Sequence, residues 1–262
     1  MPHQLSELPL NLGCYSPEYR YKILEDIVNQ ANLENPELDI RLMEGRDDFA
    51  KAMQNVFKMP YKRSRIIVSD LDHHTALDFD NRDPSKPKAI ILDAAGSQSI
   101  ICGITFVLRK AGVAIFFVDN GLGGGSLQSD RHSCSLFAVD HCIQLAASET
   151  LYELFEKKPE NSVLFWDDLP PNFVWNAQSL SGLKAYKKQA KDRYPGCLDK
   201  KIPPNDMSYR EYIRRGICTY PDTDSETGKQ LIRNESINCC FFRDWCDKLY
   251  KGVPYPEHRL DS

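Results

Sequence analysis

The residue types with most chemical potential in this chain lie in Gln128-Ser-Asp-Arg-His-Ser-Cys134-Ser-Leu-Phe. Here a glycine-rich loop, Gly121-Leu-Gly-Gly-Gly125, runs into an apolar segment with helical character. A thiol at that junction meets unpaired backbone N–H groups and the positive end of the helix dipole, and both favour thiolate over thiol. A cysteine with no such neighbours reads as a small buried hydrophobe. A nucleophilic thiolate needs a base, and the base needs a group to orient it. His73 and His74 open a β-type run, so their side chains leave on opposite faces, at most one can face Cys134, and strand alternation does not choose between them. Asp93 ends a run that pairs beside that strand, a position from which a carboxylate can hold an imidazole tautomer. Gln128, six residues before Cys134, can offer its amide N–H₂ to an oxyanion alongside the Cys134 backbone N–H. The chemistry this set supports is acyl transfer through a covalent thioester, with the chain order His, Asp, Gln, Cys. Papain-like enzymes run Cys before His and are excluded on order alone.

Other uses of these atoms fare worse. His132, Cys134, His141 and Cys142 lie close in sequence, but no Cys-x-x-Cys pair occurs, and on a helix residues 141 and 142 diverge by about 100°, so four ligands would not converge on zinc. The glycine loop lacks the Gly-Lys-Ser/Thr of a phosphate loop; it reads as a hinge beside a bulky cofactor or as a plain turn. The run Lys184 to Arg193, with Arg210, Arg214, Arg215 and Arg233, reads either as a solvated helix face or as the lining of a polyphosphate pocket. Asp167 and Asp168 after Trp166 read as a loop.

The elements that must carry these residues can be outlined from periodicity. Residues 18–32 show the helical spacing Tyr21, Ile23, Leu24, Ile27, Val28, Ala31. A short strand is expected over 38–42, then a helix with Asp47 and Asp48 near its start and Phe49, Met53, Val56 and Phe57 on one face. Residues 65–69, 74–79 and 88–93 predict three strands in an antiparallel meander, the last two joined by a loop with Pro84 and Pro87. A helix capped by Ser97 or Ser99 should run to about Lys110, a strand should follow over 113–119, and an apolar helix over 135–148. Beyond about Ser162 the chain turns rich in Pro, Lys and Arg, with helices expected near 181–192, 207–215 and 234–250.

Composition sets the outer bounds. With 262 residues, 33 Lys and Arg against 37 Asp and Glu, and a formal net charge of -4, the chain lacks the broad basic excess of a nucleic-acid surface. Its nine cysteines are odd in number and scattered, which favours reduced thiols over a disulfide framework. Neither an apolar leader in the first twelve residues nor a run of roughly 20 apolar residues is present.

On these residues the chain resembles the YopJ family of bacterial effector acetyltransferases, which share the fold and catalytic order of adenovirus-type, SUMO-protease-like cysteine peptidases. The resemblance runs from Ala31-Asn-Leu-Glu-Asn-Pro-Glu-Leu-Asp-Ile40 through Arg65-Ile-Ile-Val, His73-His-Thr-Ala-Leu-Asp-Phe79 and Ile90-Ile-Leu-Asp-Ala-Ala95 to Gln128–Ala138. It covers roughly 18–150. In the family pattern an Asp lies five places after the catalytic histidine, so Asp78 selects His73 as base; the acidic member, Glu or Asp, matches Asp93. The catalytic set implied is His73, Asp93, Gln128 and Cys134. Residues 169–179 and 236–243 are similar to the stretches that supply basic residues for inositol hexakisphosphate, although Trp175, Asn176, Cys240, Phe241 and Phe242 stand where basic or histidine residues are common. Candidates for that polyphosphate are Lys184, Lys187, Lys188, Arg214, Arg215 and Arg243.

The resemblance implies an α+β fold with a mixed or antiparallel central sheet, the catalytic Cys at the N-terminus of a buried helix, and a helical C-terminal regulatory lobe. The expected organisation is a loose tail over 1–17, a catalytic core over 18–160 and the lobe over 161–262. It further implies transfer from acetyl-CoA, through an acetyl-cysteine, to Ser, Thr or Lys side chains of host proteins. Inositol hexakisphosphate would be the activator, and a bacterial secretion system would deliver the protein into the host cytoplasm. The rival on the same scaffold is a ubiquitin- or SUMO-family protease; there the residue after the histidine is typically Trp, and here it is His74. A catalytically dead adaptor is the third reading, and the complete His73, Asp93, Gln128, Cys134 set argues against it.

Overall fold

The computed structural model describes residues 17–54, 62–70, 73–119, 127–128, 134–157, 163–174, 186, 192, 194–196, 199, 201–202, 207–208, 220–223 and 230–233. The chain separates into two compact units. The first takes Met1–Asp119, Arg131–Leu164 and Cys246–Ser262, the second Asn120–Asp130 and Phe165–Trp245.

The first unit is built on a sheet of β1 (Ile40–Glu44), β2 (Arg63–Asp70), β3 (His73–Asp80), β4 (Lys88–Leu92) and β5 (Ala114–Asp119), in that order; the edge strand β6 (Val163–Phe165) has its first two residues in this unit. The expected meander is present as β2–β3–β4, antiparallel throughout. The outer pairs β1–β2 and β4–β5 are parallel, so the sheet is mixed. Each parallel pair requires a crossover. α2 (Gly45–Gln54) and α3 (Gln98–Lys110) supply the two crossovers.

Strand alternation explains the layering. Ile66 and Val68 of β2, Leu77 and Phe79 of β3, and Ala89 and Ile91 of β4 share one face, where they pack with Phe49 and Met53 of α2 and Ile100, Ile104 and Leu108 of α3. The opposite face of β2 and β3 receives α4 (Cys134–Ala146), with α1 (Pro17–Glu34) beside it. Burial on both faces makes β2 and β3 almost wholly inaccessible. In α1 the buried residues Ile23, Leu24, Ile27, Val28 and Ala31 follow the helical period read from the sequence.

Four expectations need correction. The strand expected over 38–42 begins at Ile40, because Pro36–Leu38 forms a 3-10 turn. Pro36 is preset for that turn, the Asn35 side chain accepts the Glu37 N–H at 3.1 Å, and Asp39 adopts φ 43°. The Asn32 amide then fixes the start of β1, accepting from Ile40 N at 2.9 Å and donating to Ile40 O at 2.8 Å. Ser97 occupies the N-cap of α3 without a side-chain cap bond, and Ser99 lies inside the helix. In the second unit, Met207–Ser208 is not helical but forms β8, paired antiparallel with β7 (Lys201–Ile202). A hairpin of β9 (Tyr220–Thr223) and β10 (Gln230–Arg233) was not expected either; four-residue strands are too short to carry a period. Trp166–Asp168, read as loop, is one turn of 3-10 helix. The helix expected over 234–250 lies outside the described residues.

Within the second unit, Trp166, Leu169, Phe173, Val174 and Tyr186 are buried. The Tyr186 hydroxyl donates to Leu169 O at 2.9 Å, and the Tyr194 hydroxyl to Asp168 O at 2.7 Å. No described helix is long and apolar enough to cross a membrane.

Candidate active site

Cys134 is the first residue of α4, and its side chain is buried. α4 is a helix hidden along nearly its whole length, with Leu136, Phe137, Val139, Cys142 and Leu145 in the core. The N-terminus of such a helix presents N–H groups that no earlier turn can satisfy. Its C-terminus is anchored by Arg63, whose Nη2 donates to Leu145 O at 2.7 Å and to Ser148 O at 3.3 Å. Arg63 is in turn paired through Nε with Asp78 Oδ1 at 2.8 Å. Asp78, which served as the family landmark, is therefore a structural residue: it also accepts from the Tyr152 hydroxyl at 3.0 Å and faces Arg65 Nε at 3.4 Å. Burial pushes its carboxyl pKa up, with Arg63 and Arg65 opposing that shift.

The histidine and the acid come together through sheet register. Ala76 pairs with Leu92, so the next step places Asp93 opposite Thr75, and His73 lies two residues further along the same face of β3. His73 Nε2 is 2.8 Å from Asp93 Oδ2, and the Thr75 hydroxyl donates to the same oxygen at 2.8 Å. Asp93 Oδ1 accepts the backbone N–H groups of Ala95 at 3.0 Å and Gly96 at 2.9 Å. Burial works to raise the Asp93 pKa, but the hydrogen bond and charge of His73, then Thr75 and the Ser97 backbone, outweigh it and hold the carboxyl below its usual range. For His73, burial works to lower the pKa. The hydrogen bonds and charges of Asp93 and the Cys134 sulfur prevail and bring it up to about 10. At neutral pH the ring is therefore an imidazolium that donates one N–H to Asp93 and the other to Cys134.

His74 also reaches the sulfur. Its Nδ1 stands 3.5 Å from Cys134 Sγ, while its Nε2 is 3.2 Å from Ser69 Oγ. This corrects the expectation that at most one of the two imidazoles faces Cys134. Alternation holds within a strand, but these residues are its first two, and the start of α4 lies at the end of β3, where a thiol can be approached from both faces. Burial, then the charges of His73 and Arg20, hold the His74 pKa down at about 3, so this ring is neutral where its neighbour is charged.

Of the residues singled out in the sequence, the structure brings His73, Asp93 and Cys134 together in the first unit. Gln128 is buried and belongs to the second unit. Lys184, Lys187, Lys188, Arg214, Arg215 and Arg243 lie outside the described residues, as does His132. Among the described residues, no group of three or more His, Cys, Asp or Glu side chains could hold a metal ion. Three participants escaped the sequence reading: Thr75, Ser69 and the Ala95–Gly96 backbone. Thr75 was within reach, since a hydroxyl two places after His73 shares its face. Asp-Ala-Ala-Gly also carries the signature of an aspartate that bonds its own turn.

A family model described as YopJ Serine/Threonine acetyltransferase matches residues 4–218. The fold is similar to that of "AvrA delL154 with IP6, CoA", with TM-score 0.69 at 17% identity over 91% of this chain and 89% of that one. It is also similar to "HopZ1a in complex with IP6 and CoA", with TM-score 0.57 at 15% identity over 73% of this chain and 70% of that one. A further HopZ1a complex, with IP6 alone, gives 0.55 at 15% identity over 78% of this chain and 77% of that one. No curated protein matches the sequence.

Proposed function

The chain belongs to the YopJ serine/threonine acetyltransferase family, and from that premise we propose that it acetylates host proteins through Cys134, with His73 as base and acid and Asp93 as the orienting carboxylate. The observation that carries the reading is the continuous link Asp93–His73–Cys134, with Cys134 opening a buried helix.

In the first half-reaction the Cys134 thiolate attacks the thioester carbon of acetyl-CoA. The carbon–sulfur bond to CoA breaks, and CoA leaves with the proton that the His73 imidazolium gives up. In the second, neutral His73 takes the proton of a Ser or Thr hydroxyl, or of a Lys amine, on the acceptor. The acceptor attacks the acetyl-cysteine, and Cys134 departs as thiolate beside a restored imidazolium. Asp93 keeps His73 in the tautomer that can do both, and its own backbone and Thr75 bonds keep it ionised. Gln128 is proposed as an oxyanion donor; its support is its amide and its place six residues before Cys134 in the chain.

Acetyl-CoA as donor and inositol hexakisphosphate as activator are proposed from the CoA and IP6 in the AvrA and HopZ1a structures. The basic residues of the 184–243 stretch would hold the polyphosphate in a regulatory lobe, 161–262, attached to a core of 18–160 and preceded by a tail of 1–17. The setting proposed is that of a bacterial effector delivered by a secretion system into the host cytoplasm.

The test is intact-mass measurement after incubation with acetyl-CoA, with and without inositol hexakisphosphate, beside ubiquitin and SUMO electrophilic probes. An acetyl adduct that vanishes in Cys134→Ala is expected. Probe labelling without an acetyl adduct would replace the reading with a protease, and neither reaction would leave an adaptor.

A further inference from the structure

The reaction above uses one histidine, yet two imidazoles touch the sulfur. The second is neither exposed nor idle: His74 is 7% exposed, with Cys134 Sγ on Nδ1 and Ser69 Oγ on Nε2. A thiolate can only accept hydrogen bonds, and a neutral imidazole has a single N–H. Beside a thiolate that N–H belongs on Nδ1. Nε2 is then an acceptor, and the Ser69 hydroxyl must donate to it. Ser69 pairs directly with His74 across β2 and β3, so the sheet register holds the hydroxyl beside Nε2, where it can donate.

We infer that His74 is a second catalytic histidine, a donor whose Nδ1–H bonds the Cys134 sulfur when the reaction makes it a thiolate, with Ser69 as the positioning residue that holds the ring through Nε2. This rests on Cys134 being the nucleophile. The division of labour follows from the surroundings. His73 faces Asp93 and can hold a mobile proton, whereas His74 is buried against Cys134 and Ser69, and burial with the nearby charges of His73 and Arg20 holds its pKa down at about 3. A hydrogen bond to sulfur is strong when the sulfur is anionic and weak when it is a thioester. His74 thus stabilises the attacking thiolate of the first half-reaction and the departing thiolate of the second more than the acetyl-cysteine between them.

The experiment reads thiol reactivity, independent of acetyl transfer. Cys134 is alkylated with iodoacetamide at pH 7 and followed by peptide-resolved mass spectrometry, with the exposed Cys102 as internal reference. His74→Leu should slow alkylation of Cys134 about tenfold, the worth of one charge-assisted hydrogen bond. His74→Asn, whose amide places an N–H near the position of Nδ1, should stay within about threefold of the wild type, and Ser69→Ala should slow the reaction by a few fold. A wild-type rate in His74→Leu, or an equal loss in His74→Leu and His74→Asn, would overturn the donor role. Should His74→Leu fail to melt cooperatively, His74→Asn and Ser69→Ala decide. A wild-type rate in Ser69→Ala, or a tenfold loss in His74→Asn, then overturns the inference. If wild-type Cys134 reacts no faster than Cys102, the nucleophile assignment falls instead, which is a separate failure.

Discussion

Asp93 shows how much of a catalytic residue's character lies in atoms that do no chemistry. Its two oxygens take the His73 ring, the Thr75 hydroxyl and the Ala95 and Gly96 backbone, so a carboxylate buried to 1% exposure stays ionised. Asp93→Asn keeps the shape but removes the charge and offers His73 an ambiguous partner. The acetylation rate, measured by label transfer to a protein acceptor, should fall by about 10²-fold or more, with the melting profile still cooperative. Thr75→Val deletes one of the bonds without touching the ring, and its expected loss is only about threefold to tenfold, near the value of a single hydrogen bond. A Thr75→Val loss as large as that of Asp93→Asn would mean that the hydroxyl does more than steady the carboxylate.

Elements, not single side chains, deliver Cys134. α4 is held at its far end by Arg63, and Arg63 is held by Asp78, so the register of the helix against β2 and β3 depends on a buried charge network. Asp78→Ala leaves two guanidinium groups, Arg63 and Arg65, without their carboxylate. Breaking such a pair costs about 3–5 kcal/mol, which for a chain of this size corresponds to a melting temperature lower by about 10 °C. A fall of less than about 2 °C would show that the network is not what holds α4. α3 gives a contrasting case. A Cβ on Gly103 would come 2.9 Å from Arg46 Cδ, yet Arg46 is half exposed and can swing aside, giving up its 2.6 Å pair with Asp70. Gly103→Ala should therefore change stability by less than about 1 kcal/mol, since surface pairs contribute little and alanine favours the helix. Chemical denaturation measures the difference.

For the molecule as a whole the charge cluster makes a prediction about pH. The folded-state pKa of His73, about 10, lies above the ordinary value of 6.5. Its contribution to stability is therefore complete below about pH 6.5 and is lost as pH rises toward 10. Asp93 is held below its ordinary 3.8, so its contribution is present above that value and is lost as pH falls through the folded-state pKa. The melting temperature of the wild type should decline from pH 7 to pH 10 by more than that of His73→Ala. Parallel declines would show that the cluster is not coupled to folding. His74 adds nothing to this window, because at about 3 its pKa keeps it neutral across it.

The sequence by itself determined the residue types and their order. It also determined the antiparallel β2–β3–β4 meander, α1, α2 and α4 to within a few residues, and the family. These are local matters of periodicity, turn residues and spacing, and they are written along the chain. Only the tertiary structure decided that β1 and β5 join in parallel, because pairing partners of crossover strands are set by how helices pack, not by any period. Only it showed that Asp78 braces α4, and that Thr75 and the turn after Asp93 keep the acid charged. It also reversed the reading that one imidazole alone could face the thiol. Alternation states which face a side chain leaves from, but at the open end of a strand the position of the next helix decides what both faces can reach.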